Sequence, residues 1–124
     1  MLRALIVEDN DVYRREFKES LCRHFPSMAV EKAVDAEEAL LKINGNPPPL
    51  IFIDIRLPGM NGLQLTQKIK KDFPNVHIAI VTGYDVPEYR QAAAQFGAEA
   101  FFVKESFKWD EIKALVESIE KTIS

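Results

Sequence analysis

The chain has 124 residues, 47% hydrophobic and 28% charged, with a formal net charge of −3. That length suits one compact domain that buries its core without disulfides or a structural metal, and no apolar run approaches the roughly 20 residues needed to cross a membrane. Mild acidity without a Lys/Arg stripe argues against direct nucleic-acid binding, and a single Cys22 leaves no internal disulfide.

In chain order, the first apolar run, Leu2 to Val7, is nearly continuous and ends in Glu8-Asp9. It is too short for a signal-peptide core and runs into two acids, so the protein is expected in the cytoplasm. Tyr13, Phe17 and Leu21 repeat at i+4 as one helical face, where Cys22 is expected to be a small apolar filler. Met28 to Val34 carries Glu31 and Lys32 in its middle, as an edge strand tolerates. Ala36, Ala39, Leu40 and Ile43 form a second helical stripe, which Gly45-Asn46-Pro47-Pro48-Pro49 ends. Leu50 to Ile53 is a buried strand leading into Asp54, and Pro58-Gly59 and Asn61-Gly62 mark the turn that follows.

Leu65, Ile69 and Phe73 place a third helix, with Lys68 to Asp72 read as its solvated face. His77 to Val81 is the fourth strand, with Thr82 at its end. Tyr89, Ala92, Ala93 and Phe96 stripe the fourth helix, and Gly97 stands at its C-cap. Ala100 to Val103 is a short second edge strand ending at Lys104. Ile112, Leu115, Val116 and Ile119 stripe the last helix, with Trp109 expected to pack it on the sheet and Ile119 to Ser124 finishing it. Strand and helix signals alternate through five units, which predicts an α/β fold with a doubly wound parallel sheet in one domain, residues 1–124.

In such a sheet ligands bind outside the carboxyl ends of the strands. Glu8, Asp9, Asp54, Thr82 and Lys104 all fall there. Each alone has an ordinary reading as a cap or a surface charge; their joint occurrence on four strand ends is harder to dismiss. Three carboxylates within a few ångströms repel strongly even at an effective dielectric of about 20, and a cation relieves that. Magnesium suits an incomplete carboxylate cage that phosphate oxygens complete. Lys104 then pairs with one phosphate oxygen and the Thr82 hydroxyl with another, leaving Asp54 as the nucleophile. His24 and His77 have no second ligand at metal spacing and read as surface or cap residues.

The string Asp54-Ile55-Arg56-Leu57-Pro58-Gly59-Met60-Asn61-Gly62, with Glu8-Asp9 upstream and Thr82-Gly83 and Phe101-Phe102-Val103-Lys104 downstream, resembles the receiver domains of bacterial response regulators. The resemblance covers the whole chain. It implies a flavodoxin-like sheet in the order 2-1-3-4-5 and a phosphorylation switch of two-component signalling, not an enzyme in the ordinary sense but a phosphoacceptor that assists its own transfer and hydrolysis. It implies that Asp54 takes a phosphoryl group from a sensor histidine kinase or histidine phosphotransfer protein. Asp9, Asp54 and the backbone carbonyl of Arg56 would bind Mg2+, with Glu8 acting through a water on the ion.

By the same resemblance Thr82 and Phe101 form the switch pair. They alter the face of the fourth helix, fifth strand and fifth helix, where a second copy or an effector would bind. Arg56 and Tyr84 stand at positions that tune phosphoryl lifetime. Where many receivers have proline after the lysine this chain has Glu105, so a trans peptide is expected there.

Three rival readings compete. A flavin carrier of this fold would want a Gly/Ser/Thr-rich phosphate cradle that the loops lack. An aspartate-nucleophile phosphatase would want a second acid where Arg56 stands. A degenerate receiver acting only as a docking module would not need Glu8, Asp9, Asp54, Thr82 and Lys104 together.

Overall fold

The computed structural model describes residues 2–123. The elements run β1 (Arg3–Val7), α1 (Asp11–His24), β2 (Ala29–Ala33), α2 (Ala36–Gly45), β3 (Leu50–Ile53), α3 (Gly62–Asp72), β4 (His77–Thr82), α4 (Pro87–Gln95), β5 (Ala100–Val103) and α5 (Trp109–Ile123). The strands form one parallel sheet in the order β2-β1-β3-β4-β5, so the polar β2 and the short β5 are the edges, as their sequences predict. Ser124, assigned above to the last helix, lies outside the described residues.

Successive residues of a strand point to opposite faces, and both faces here are buried. Leu5, Val7, Ile51, Ile53, Ile78 and Ile80 project to one side, where α2 and α3 supply Ala39, Ile43, Leu65 and Ile69 and α4 supplies Ala93. Ala4, Ile6, Leu50, Phe52, Ala79 and Val81 project to the other, against Phe17 and Leu21 of α1 and Ile112, Val116 and Ile119 of α5. Each fully buried Leu or Ile contributes about 1.5–3 kcal/mol relative to exposure.

Register fixes the rim. Val7 lies opposite Ala33 on one side and Ile53 on the other, and Thr82 lies opposite Val103. The ladder continues one residue further: the Glu8 N–H donates to the Ala33 carbonyl at 3.0 Å, the Asp54 N–H to the Val7 carbonyl at 3.0 Å, and the Lys104 N–H to the Thr82 carbonyl at 2.9 Å. Backbone hydrogen bonds thereby carry the ladder on to the residues that follow these strands.

The first three helices start on side-chain caps. Asn10 accepts from the Tyr13 N–H, Asp35 from the Glu38 N–H, and Asn61 forms a reciprocal capping box with Gln64. α4 starts at Pro87 without a side-chain cap and buries only Ala93, so it is the least anchored of the helices on the sheet. Gly97 after it has φ +103°, a left-handed conformation that glycine adopts without strain. Among the described residues no helix is long and apolar enough to cross a membrane.

Several local expectations need correction. Cys22 lies on α1 but is exposed, because the i+4 stripe of Tyr13, Phe17 and Leu21 turns position 22 outward. Trp109 packs against the core between the sheet and α5, as expected, and adds contacts to α1 that its position does not announce: its ring stacks on His24 (4.3 Å between centroids, 9° between planes) and on Phe17 (5.6 Å, 26°). Within the charged face of α3, Lys68 and Asp72 are solvated, but Lys70 folds back and donates to the carbonyls of Pro74 (2.8 Å) and Val76 (2.9 Å). Its stem packs beneath Gly97, where an added Cβ would come within 3.1 Å of it. The Lys104–Glu105 peptide is trans, as expected without proline.

Candidate functional site

The carboxyl ends of β1, β3, β4 and β5 bring Glu8, Asp54, Thr82 and Lys104 together on one rim, with Asp9 beside them. Glu8, Asp54 and Thr82 are buried, and Asp9 is exposed. Glu8, Asp9 and Asp54 each offer a carboxylate oxygen within 4.8 Å of the others. The Lys104 ammonium sits 2.7 Å from Glu8 Oε1 and 3.5 Å from Asp54 Oδ2. The Asp54 Oδ1 atom is buried with no hydrogen-bond partner. A buried carboxylate oxygen without a donor is expensive to maintain, and a hard cation or a phosphoryl group is the chemistry that fits it. Three clustered carboxylate donors of this kind match magnesium rather than a soft metal.

Burial pushes the Glu8 carboxyl up to about 7; the hydrogen bond to Lys104 pulls the other way, and the Asp54 charge adds to the rise. Glu8 Oε2 also accepts from the Asn10 N–H at 3.1 Å, and its carbonyl accepts from the buried guanidinium of Arg14 at 2.7 Å. Arg14 thus ties the β1 end to the first turn of α1. Tyr13, in the same turn, presents its ring face to the Lys104 ammonium, 4.3 Å from centroid to nitrogen. Its phenol is pushed up by burial first and then by the Glu8 and Asp54 charges.

The β3–α3 loop returns tightly on Asp54. The Ile55 carbonyl accepts from the N–H groups of Leu57 (3.0 Å) and Gly62 (2.8 Å). Gly62 opens α3 so close to the strand end that a Cβ there would stand 2.1 Å from the Asp54 carbonyl oxygen, so only glycine fits.

Arg56 and Tyr84 are exposed on neighbouring loops and stack on each other, the guanidinium carbon 4.0 Å from the ring centroid. Arg56 also reaches the Tyr89 hydroxyl at 3.4 Å. The Thr82 hydroxyl oxygen accepts from the Tyr84 N–H at 3.4 Å. Phe101 is half-buried, its ring covered by the Arg90 guanidinium at 4.7 Å, and Arg90 in turn pairs with Asp85 at 2.6 Å. The two histidines do ordinary work: His24 bonds the Ser20 carbonyl at 2.9 Å, and His77 pairs with Glu99 across the β4–β5 start.

A cleft of about 780 Å³ lies elsewhere, along α1, and is lined by Arg15, Lys18, Glu19, Arg23 and Lys32 among others. It holds none of the rim residues.

Tyr13, Arg14 and Gly62 are the neighbours of the rim that their sequence positions do not announce as functional. Tyr13 follows Asp9 by four residues and reads only as part of a helical stripe. Arg14, beside that stripe, reads as solvated. Gly62 closes the Asp54–Gly62 string and reads as a turn residue, but nothing in its position announces its contact with the Asp54 backbone.

A doubly wound sheet that gathers acids, a hydroxyl and a lysine on one rim is a scaffold for holding a cation and an anion together. A family model described as the response regulator receiver domain matches residues 4–117. A receiver domain protein described as CheY-like, from Methanospirillum hungatei, superposes with a TM-score of 0.86 at 31% identity, over 98% of this chain and 95% of that one. The response regulator TrrA of Thermotoga maritima, solved in complex with Mg2+-BeF, gives 0.83 at 32% identity, over 96% and 99%. The response regulator GacA of Pseudomonas protegens is 29% identical over 104 residues, 84% of this chain and 49% of that protein. The chain spans about half the length of the curated relatives it matches. It belongs to the response regulator receiver domain family, the phosphoacceptor domains of two-component systems, and has their flavodoxin-like fold.

Proposed function

We propose that this chain is a single receiver domain, residues 1–124, that accepts a phosphoryl group on Asp54 with the help of magnesium. The observation that carries the reading is the buried Asp54 carboxylate, its Oδ1 without a partner and its Oδ2 3.5 Å from the Lys104 ammonium, with two more carboxylates within 4.8 Å. Asp9, Asp54 and the Arg56 backbone carbonyl would hold the ion, with Glu8 behind them. When bound, magnesium neutralises negative charge on the carboxylates and on the transferring group.

The Asp54 carboxylate forms a new O–P bond as the N–P bond of a phosphohistidine breaks, and the electron pair of that bond returns to the donor imidazole. Lys104 leaves Glu8 to pair with a phosphoryl oxygen, and the Thr82 hydroxyl donates to another. Movement of Thr82 toward the site vacates space on the α4–β5 side into which the Phe101 ring turns, carrying the signal to α4, β5 and α5. The donor is a sensor histidine kinase or a histidine phosphotransfer protein, and the reader of the altered face is an effector or a second copy of the chain. The work is that of a cytoplasmic switch, with no nucleic acid or membrane bound by these residues.

Incubation with magnesium and acetyl phosphate, followed by intact-mass and peptide mapping, tests this. The adduct should map to Asp54 and vanish in Asp54→Asn and after chelation of magnesium. A normal yield from Asp54→Asn overturns the assignment, and no adduct on the parent protein leaves a docking module as the better reading.

A further inference from the structure

A lysine ammonium rides on a flexible four-carbon stem, so its position has to be held by whatever surrounds it. Around Lys104 there are three partners: Glu8 Oε1 at 2.7 Å, Asp54 Oδ2 at 3.5 Å and the Tyr13 ring at 4.3 Å. The two carboxylates are the groups whose charge balance changes when a cation or a phosphoryl group arrives. The ring stays the same throughout.

The ring is itself held. Tyr13 stacks on Phe17 (5.8 Å, 14°), Phe17 on Trp109 (5.6 Å, 26°), and Trp109 on His24 (4.3 Å, 9°). Phe52 and Phe107 close on the sides of Phe17 edge-on, at 5.2 and 6.2 Å. A column of rings therefore runs from Lys104 along α1 to the start of α5. The column is seated in the site's own cap, since Asn10 accepts from the Tyr13 N–H at 2.9 Å while donating its own N–H to Glu8.

We propose that Tyr13 is a positioning residue for phosphoryl transfer, its clamped ring face keeping the Lys104 ammonium beside Asp54 before and during the reaction. The proposal rests on the reading of Lys104 as the counter-charge of the phosphoryl group. The attraction between a cation and an aromatic face is spread over the ring, with no single lone pair to satisfy. Lys104 can therefore slide from Glu8 toward a phosphoryl oxygen without losing this contact. A charge placed beforehand lowers the barrier because no reorganisation is needed at the moment of reaction.

Three variants separate the possibilities: Tyr13→Phe keeps the ring face, Tyr13→Leu fills the space without one, and Lys104→Ala tests the parent reading. The readouts are the phosphorylation rate with acetyl phosphate at saturating magnesium, the magnesium affinity, and the proton shifts of the Lys104 ε-methylene, which the ring current moves upfield. Tyr13→Phe should react within about twofold of the parent and keep the upfield shift. Tyr13→Leu should react about three- to tenfold more slowly, the size of one cation–π contact at a half-buried site, with magnesium affinity unchanged and the upfield shift lost. The near-UV spectrum of Trp109 reports folding, and if Tyr13→Leu does not fold, Tyr13→Met takes its place with the same expectation.

Parental rate in the ring-free variant overturns the proposal, as does a Tyr13→Phe protein as slow as Tyr13→Leu. If Lys104→Ala is slow while Tyr13→Leu is not, only the role of Tyr13 falls. If Lys104→Ala reacts at the parental rate, the counter-charge reading falls and takes this one with it.

Discussion

Glu8 is an acid whose burial opposes its own ionisation, and the pH consequence has a definite sign. Its carboxyl is pushed up from the ordinary 4.5 to about 7, so between those values the metal-free folded protein binds a proton that the unfolded chain has released. Stability from this group is complete below about 4.5 and declines as pH rises through about 7. In chelator, the urea midpoint of the parent should fall relative to that of Glu8→Gln across this window; parallel curves would show that Glu8 ionises normally. At the same scale, Arg56 and Tyr84 stack across the loops that follow β3 and β4, beside the proposed acceptor Asp54. Hydrolysis of an aspartyl phosphate needs a water in line with the breaking bond, and bulk over that approach slows it. Arg56→Ala, Tyr84→Ala and the double variant should each lose phosphate several-fold faster after donor removal. Equal decay in all of them would show that the stacked pair does not shield the bond.

Helix α3 is built to approach Asp54 closely, and two changes probe that separately. Gly62→Ala forces a methyl to within 2.1 Å of the Asp54 carbonyl oxygen, where the obstacle is backbone that cannot rotate away. The expected loss is about 3 kcal/mol, the upper end for overpacking, with a displaced acceptor and slower phosphorylation. Asn61→Ala removes the capping box and should lose about 1 kcal/mol with near-normal phosphorylation, because the carboxylate keeps its place. Denaturant titration gives both values, and a Gly62→Ala protein as stable as the parent would mean that the loop yields easily. Helix α4 differs in kind. With only Ala93 buried and no side-chain cap, it should show the fastest amide exchange among the helices packed on the sheet.

Across the molecule, Thr82 and Phe101 belong to the adjacent strands β4 and β5, and the proposed switch would carry a change at the rim through them to the α4–β5–α5 face. Addition of magnesium and beryllofluoride should alter amide exchange at α4, β5 and the start of α5, and tighten binding of whatever reads that face by the corresponding coupling energy. Changes confined to α1 and α2 would contradict this route.

Much of this architecture was legible in the sequence because it is written locally. Each βα unit announces itself by a short apolar run followed by a helical stripe, the polar middle of β2 marks an edge, and a parallel doubly wound sheet puts every strand end on one rim. Glu8, Asp9, Asp54, Thr82 and Lys104 were therefore nameable as a group before any coordinates. What the sequence left undetermined depends on which side chains meet once β1 is inserted between β2 and β3. The Tyr13 face on Lys104, the stacking of Arg56 on Tyr84, and the stem of Lys70 under Gly97 all join residues from different units. Spacing within a helix or strand carries no record of such pairs, and only close packing in three dimensions decides them.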